Sequence, residues 1–146
     1  MSASNDFEND ILLLIFNNTD IANIGDAGGI QNSATAGSLY VSLHTADPGE
    51  AGKQNTNETT YTGYARVAVA RSGAGWTVTG NSVANAATIT FGTSSSGTPT
   101  ITHFGVGYES AGATKLVVSG ALTSSQVINI GGANTFAAGA LTTTVD

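Results

Sequence analysis

From residue 39 onward the chain repeats short runs of alternating apolar and polar residues, each ended by a turn signal, and this pattern restricts it to a β-rich fold. A period of two puts every second side chain on one face of a strand. Leu39-Tyr40-Val41-Ser42-Leu43-His44 has its aliphatic residues at 39, 41 and 43. Asp47-Pro48-Gly49 turns the chain, and residues 49–60 form a long polar loop. Tyr64 to Ala70 alternates again, with Ala65, Val67 and Val69 on one side and Arg66 on the other. Trp76 to Val78, Val83, Ala87 to Phe91, Thr100 to Gly107, Leu116 to Leu122, Val127 to Ile130, Phe136 and Leu141 to Val145 continue the series. Gly80-Asn81 and the Gly92–Gly97 stretch break it. About eight short strands at this spacing predict a mainly β protein, an antiparallel β-sandwich or jelly-roll-like fold, with a short trimeric fibre as a variant. No period of roughly 20–50 residues is present.

Only one segment reads as a substantial helix. Phe7, Ile11, Leu14 and Ile15 lie on one face at helical spacing. Asn5 can cap it, with Glu8 at capping-box distance, and Asp6, Glu8 and Asp10 complement the helix dipole. Leu12, Leu13 and Phe16 make the helix apolar nearly all round, so burial on more than one side is expected. Two arrangements satisfy that: a plug at the end of the sandwich, or a helix docked on a neighbouring subunit. Candidate assembly contacts are therefore Phe7, Ile11, Leu12, Leu13, Ile15 and Phe16. Residues 17–37 form a Gly-, Asn- and Ala-rich connection. The organisation expected is one domain over 1–146, with the N-terminal helix in 1–17 and the sandwich in 38–146.

Charged residues make up 10% of the chain, and Thr, Ser, Asn and Gly take their place. Globular domains carry about 25%. A polar but weakly charged surface costs little to desolvate and suits packing against other subunits. Four basic residues, Lys53, Arg66, Arg71 and Lys115, stand against ten acidic ones and form no run. That argues against nucleic acid or an anionic membrane as a partner. Cysteine is absent, so no disulfide or thiolate metal site holds the fold. The apolar stretch Ile11–Phe16 follows acidic residues, unlike a signal peptide, and is too short to span a bilayer.

No catalytic constellation emerges. His44 and His103 sit inside strand patterns without metal-ligand spacing. No Gly-x-Ser-x-Gly nucleophile turn occurs, and Gly92–Gly97 reads as a hydroxyl-rich loop. Gly105-Val106-Gly107 lacks the third glycine and helix of a phosphate cradle. Asp47, Glu50 and Glu58 offer hard oxygens without a calcium-loop pattern. The expectation is a non-enzyme without cofactor or metal. Tyr40, Tyr64, Trp76 and Phe104 are expected as core or interface anchors, and Glu50, Lys53, Asn55 and Glu58 as a contact loop. Sugar stacking on Trp76 is the basis of a competing glycan-binding reading.

Leu39 through Gly52, Gly63-Tyr64-Ala65-Arg66-Val67-Ala68-Val69, Ile101-Thr102-His103-Phe104-Gly105-Val106 and Gly120-Ala121-Leu122-Thr123 resemble, in order, segments of a family of small tailed-phage virion proteins commonly labelled phage tail fibre protein. The opening helix and the Phe136–Asp146 ending are similar too, while His44 stands where that family's pattern has Phe. The resemblance implies a virion structural component, assembled in the host cytoplasm, with other virion subunits as partners and homo-oligomerisation expected. A tail or neck accessory or fibre-type protein is the first reading. Capsid decoration (cement) on the phage head is the alternative, and a glycan-binding module is the other.

Overall fold

The computed structural model describes residues 2–145. Met1 and Asp146, the ends of the expected domain span, lie outside the described residues. Among the described residues one helix, α1 (Asn5–Asn17), precedes nine strands: β1 (Ser38–His44), β2 (Val67–Ala70), β3 (Trp76–Thr79), β4 (Ser82–Asn85), β5 (Ile89–Thr90), β6 (Thr100–Gly107), β7 (Leu116–Val127), β8 (Thr135–Phe136) and β9 (Thr142–Thr144). The strand pairings with an assigned register are all antiparallel, and the fold is of the β-sandwich class with one N-terminal helix. The chain divides into two compact units, each discontinuous in sequence.

Unit 1 comprises Met1–Ser38, Val69–Ala87 and Ala137–Asp146. Its sheet is β3-β4-β9, with Gly80-Asn81 joining β3 and β4 in a tight hairpin where Thr79 pairs with Ser82. Helix α1 packs on β3 and β4. Its buried stripe is Glu8, Leu12 and Phe16, one residue round from the face expected, and Phe7 is 44% exposed. Residues 11–16 are apolar on every side, so periodicity alone does not choose the face; Phe16 chooses it, meeting the Trp76 ring edge-on at 5.0 Å. The N-cap is Ser4, not Asn5: the Ser4 hydroxyl accepts from the Phe7 amide at 3.4 Å, and the Glu8 amide donates to the Ser4 carbonyl at 3.0 Å. Glu8 therefore stands one position past the capping box. Asn18 closes the helix in the left-handed conformation, φ 54°.

The last turn of α1 has no basic residue of its own. Arg71 supplies one from the far side of the sequence. Its Nη2 donates to the Leu14 carbonyl at 2.7 Å and its Nε to that of Ile15 at 2.6 Å. Nη1 reaches the Ala36 carbonyl at 3.1 Å, and the Arg71 amide reaches Gly37 at 3.1 Å. A fixed cation thus satisfies orphan carbonyls at the negative end of the helix and ties down the connection after it. That connection is itself closed by a two-bond bridge between Ile21 and Ile30 and by the Asn18 side chain, which bonds Ser33 in both directions. Asn85, 1% exposed, donates to Ala87 and Ala137 and accepts from the Leu141 amide, pinning the C-terminal segment.

Unit 2 comprises Leu39–Ala68 and Thr88–Phe136. It holds the sheet β2-β1-β6-β7, with the division between units falling within β2, and the ribbon β5-β8. β1 pairs with β6 from Tyr40–Gly107 to His44–His103. β7 pairs with β6 with irregular steps after Ile101 and after Val106, and it runs on to Val127; the separate Val127–Ile130 strand expected from sequence does not form, since residues 128–130 lie outside any strand. Leu39, Val41, Leu43, Ile101, Phe104 and Val106 form the core with Phe91 and Phe136, and Tyr64, Phe91 and Phe136 follow one another ring to ring at 6.1 Å. Among the described residues no helix is long and apolar enough to cross a membrane.

Replacing Arg71 with Ala should destabilise the protein by about 2 kcal/mol, because the helix carbonyls lose charge-assisted donors. Arg71→Lys should recover less than half of that, since one ammonium cannot reproduce the fork. Urea unfolding of the three proteins measures both; equal stability of Arg71→Lys and the parent would refute the geometric role.

Candidate functional site

The loop from Thr45 to Arg66 is where the expected contact residues lie, and it is built far more tightly than its polar composition suggests. Asp47 turns it by accepting from the Gly49 amide at 2.8 Å. The Thr45 amide donates to Asn57 and the Thr59 amide to Leu43, both at 2.9 Å, so the far end of the loop returns to β1. Asn57, at φ 55°, donates its side-chain amide to the Asp47 carbonyl at 2.8 Å. Gln54 is 0% exposed. Its Nε2 donates to the Tyr40 carbonyl at 2.7 Å, and its Oε1 accepts from Thr114 Oγ1 at 3.0 Å.

Beneath the loop sits a buried ion pair. Arg66 donates to Glu58 through Nε and Nη2, each at 2.7 Å, in the bidentate fork arrangement. The same guanidinium donates through Nη1 to the Glu109 carbonyl at 3.0 Å and through Nη2 to that of Gly112 at 2.8 Å. Tyr64 donates its hydroxyl to Glu58 Oε1 at 2.8 Å while accepting from the Leu43 amide at 3.1 Å. One carboxylate thereby links β1, the loop and the segment 109–112. The Glu58 hydrogen bond raises the Arg66 pKa above its ordinary value, and burial raises that of the Tyr64 phenol. Both groups keep a single protonation state near neutrality.

Sequence reading places Tyr64 and Arg66 in a strand; they stand before β2 instead, because their side chains are drawn to Glu58 rather than into the alternating pleat. It also places Glu58 among the exposed contacts; the structure turns it inward, 13% exposed at the side chain. Glu50, Lys53 and Asn55 remain on the outer surface of the loop. Lys53 stands directly opposite Lys115 across an isolated antiparallel bridge. Of the helix residues, Leu12 and Phe16 are 1% exposed, whereas Ile11, Leu13 and Ile15 are half-buried. Trp76 and Phe104 are core residues and Tyr40 and Tyr64 half-buried. Arg66, Gln54 and His44 carry the loop, and sequence reading missed this role; the only signal was the scarcity of cations, of which Arg66 and Arg71 take specific internal partners.

His44 is fully buried. Its Nδ1 faces the Thr56 carbonyl at 2.8 Å, which requires a donor there, and its Nε2 lies 2.9 Å from Ser42 Oγ. Neutral imidazole with the proton on Nδ1 fits both contacts. The glycines once compared with a phosphate cradle make room for these side chains. A Cβ on Gly105 would lie 2.6 Å from His44 Nε2, and one on Gly107 would overlap Gln54. An open groove of about 540 Å³ beside the loop is lined by Thr45, Glu58, Thr59, Thr60, Tyr61 and Thr62, among others, a surface rich in hydroxyls. Among the described residues no three His, Asp or Glu side chains converge as a metal set would.

The protein-family profile described as podophage GP4 fiber I protein gp80 matches residues 2–144, both units together. The chain belongs to this family. Membership makes it a phage fibre structural component that associates with other virion components. No curated protein matches the chain.

Glu58→Gln should cost about 3–5 kcal/mol, because the buried Arg66 guanidinium loses its counter-charge; a loss below about 1 kcal/mol in chemical denaturation would show the pair to be ornamental. Burial lowers the His44 pKa below 6.5, outweighing the opposing pull of the Thr56 carbonyl and Glu58. Below pH 6.5 the unfolded chain therefore binds more protons than the folded one, and stability falls as the pH drops through that range. Unfolding of the parent and of His44→Gln between pH 7.5 and about 5 should show this slope only in the parent.

Proposed function

We propose that the protein is a non-enzymatic, fibre-type structural subunit of a tailed-phage virion, carried on the tail or neck and acting by assembly on the particle. The observation that carries this reading is the family match across residues 2–144. Two structural features support it. The 45–66 loop is locked from beneath by Arg66 and Glu58, leaving Glu50, Lys53 and Asn55 on a fixed outer surface. The polar groove and strands offer hydroxyls and amides in place of charges, a surface that is cheap to dehydrate on contact. Many weak contacts of this kind, repeated around one particle, hold by avidity. The fibre family favours this over capsid decoration. The glycan-binding reading loses Trp76, 2% exposed, as a stacking residue, and keeps Tyr108, 51% exposed, as an open aromatic.

Immunogold imaging of purified particles tests the proposal. Label is expected on the tail or neck at several copies per particle. Label over the head shell would favour decoration, and particles without label would reject the assembly role. The purified protein is expected to turn over neither ester nor glycoside substrates.

A further inference from the structure

Two of the four side-chain cations are engaged inside the molecule: Arg66 by Glu58, and Arg71 by the carbonyls at the end of α1. The other two, Lys53 and Lys115, face each other across the isolated bridge, both exposed, with neither ammonium hydrogen-bonded among the described residues. Glu50, three residues from Lys53, makes no ion pair with it; the ion pair among the described residues is Arg66–Glu58. Directly opposed like charges, with Cβ atoms about 5 Å apart, destabilise a strand pair. The chain therefore concentrates its free positive charge at one spot, at a local cost.

A matching doublet of opposite sign lies on α1. Asp6 and Asp10 are one helical turn apart, about 5–6 Å between Cβ atoms, on the side away from the buried Glu8, Leu12 and Phe16 stripe. They flank Phe7, which is 44% exposed. Neither carboxylate takes part in an ion pair among the described residues. Their repulsion is likewise uncompensated within the chain.

We propose that copies of this chain associate head to tail, the Asp6/Asp10 face of one helix docking on the Lys53/Lys115 doublet of the next copy, with Phe7 covered in the contact. This deepens the assembly reading above and rests on it. The net charge of −6 selects the pairing. Two such copies repel as wholes, and among the described residues these lysines are the only side-chain cations not already engaged inside the molecule, so a contact that recruits them offsets that repulsion. The contact joins two different surfaces, so it is heterologous and propagates into a ring or a row rather than stopping at a dimer.

A charge-swap experiment decides it. Sedimentation velocity at low ionic strength is run on the full-length parent, on Lys53→Glu/Lys115→Glu, on Asp6→Lys/Asp10→Lys, and on an equimolar mixture of the two variants. Circular dichroism confirms that each is folded. Each variant alone should associate about tenfold or more weakly than the parent. The mixture should regain association to within about threefold, because each acidic doublet again meets a basic one. Association of the parent should weaken with added salt. The neutral pair Lys53→Gln/Lys115→Gln should lose that salt dependence, which keeps the test open if a reversal unfolds the chain. Variants that associate like the parent, or folded variants whose mixture stays dissociated, would overturn the contact while leaving the assembly reading intact. So would Lys53→Glu/Lys115→Glu failing to join particles while self-associating normally, which would assign the lysines to another subunit's acidic surface. A parent that stays monomeric at all concentrations would overturn the contact, and particles lacking the protein would overturn the assembly reading itself.

Discussion

The bidentate pair between Arg66 and Glu58 is the interaction on which unit 2 depends. A buried ion pair contributes little net stability, because desolvating both charges offsets most of their attraction. Its effect is geometric. Glu58 is bridged to His44 in β1, Arg66 reaches the carbonyls of 109 and 112, and Tyr64 returns to the Leu43 amide. Strand, loop and the β6–β7 connection are thereby fixed to one carboxylate. Without that pair, a polar loop rich in Gly, Asn and Thr would gain little from being ordered. Unit 1 repeats the device in another form: Arg71 fixes the end of α1 and residues 33–37 through backbone carbonyls and the Ser33 hydroxyl, with no carboxylate partner. A chain with so few cations uses half of them as internal fasteners.

Regular elements were legible in the sequence because local periodicity encodes them. The reading of Thr100–Gly107 agrees with β6 in full, the Gly80-Asn81 turn joins β3 and β4, and α1 runs over the residues expected. What was not legible depended on partners distant in sequence. The facing of α1 is set by Trp76, sixty positions after Phe16. Tyr64 and Arg66 show strand-like alternation, yet Glu58 overrides it. The N-cap moved by one residue because Ser4 and Asn5 are both good caps, and only the backbone path distinguishes them. The 49–60 loop looked solvated by composition, since nothing local reveals that Gln54 fills the space left by Gly107.

The same logic bears on function. A fibre component needs surfaces of definite shape that dehydrate easily, and charge is costly at such surfaces. Moving the arginines inward leaves a surface rich in hydroxyls and amides, whose exposed charges among the described residues are carboxylates together with Lys53 and Lys115. Contacts made by its hydroxyls and amides dehydrate at little cost. The family to which the chain belongs supplies the setting, and the internal arginines explain how so weakly charged a chain keeps a defined shape there.

The 45–66 loop is a preformed surface held from below by Arg66 and Glu58. Hydrogen–deuterium exchange of the isolated protein tests it most directly. The amides of Thr45, Gln54 and Thr59 should exchange as slowly as those of β1, and the protection of all three should be lost together in Arg66→Ala. Fast exchange at these amides in the unmodified protein, at the rate of an unstructured loop, would contradict it.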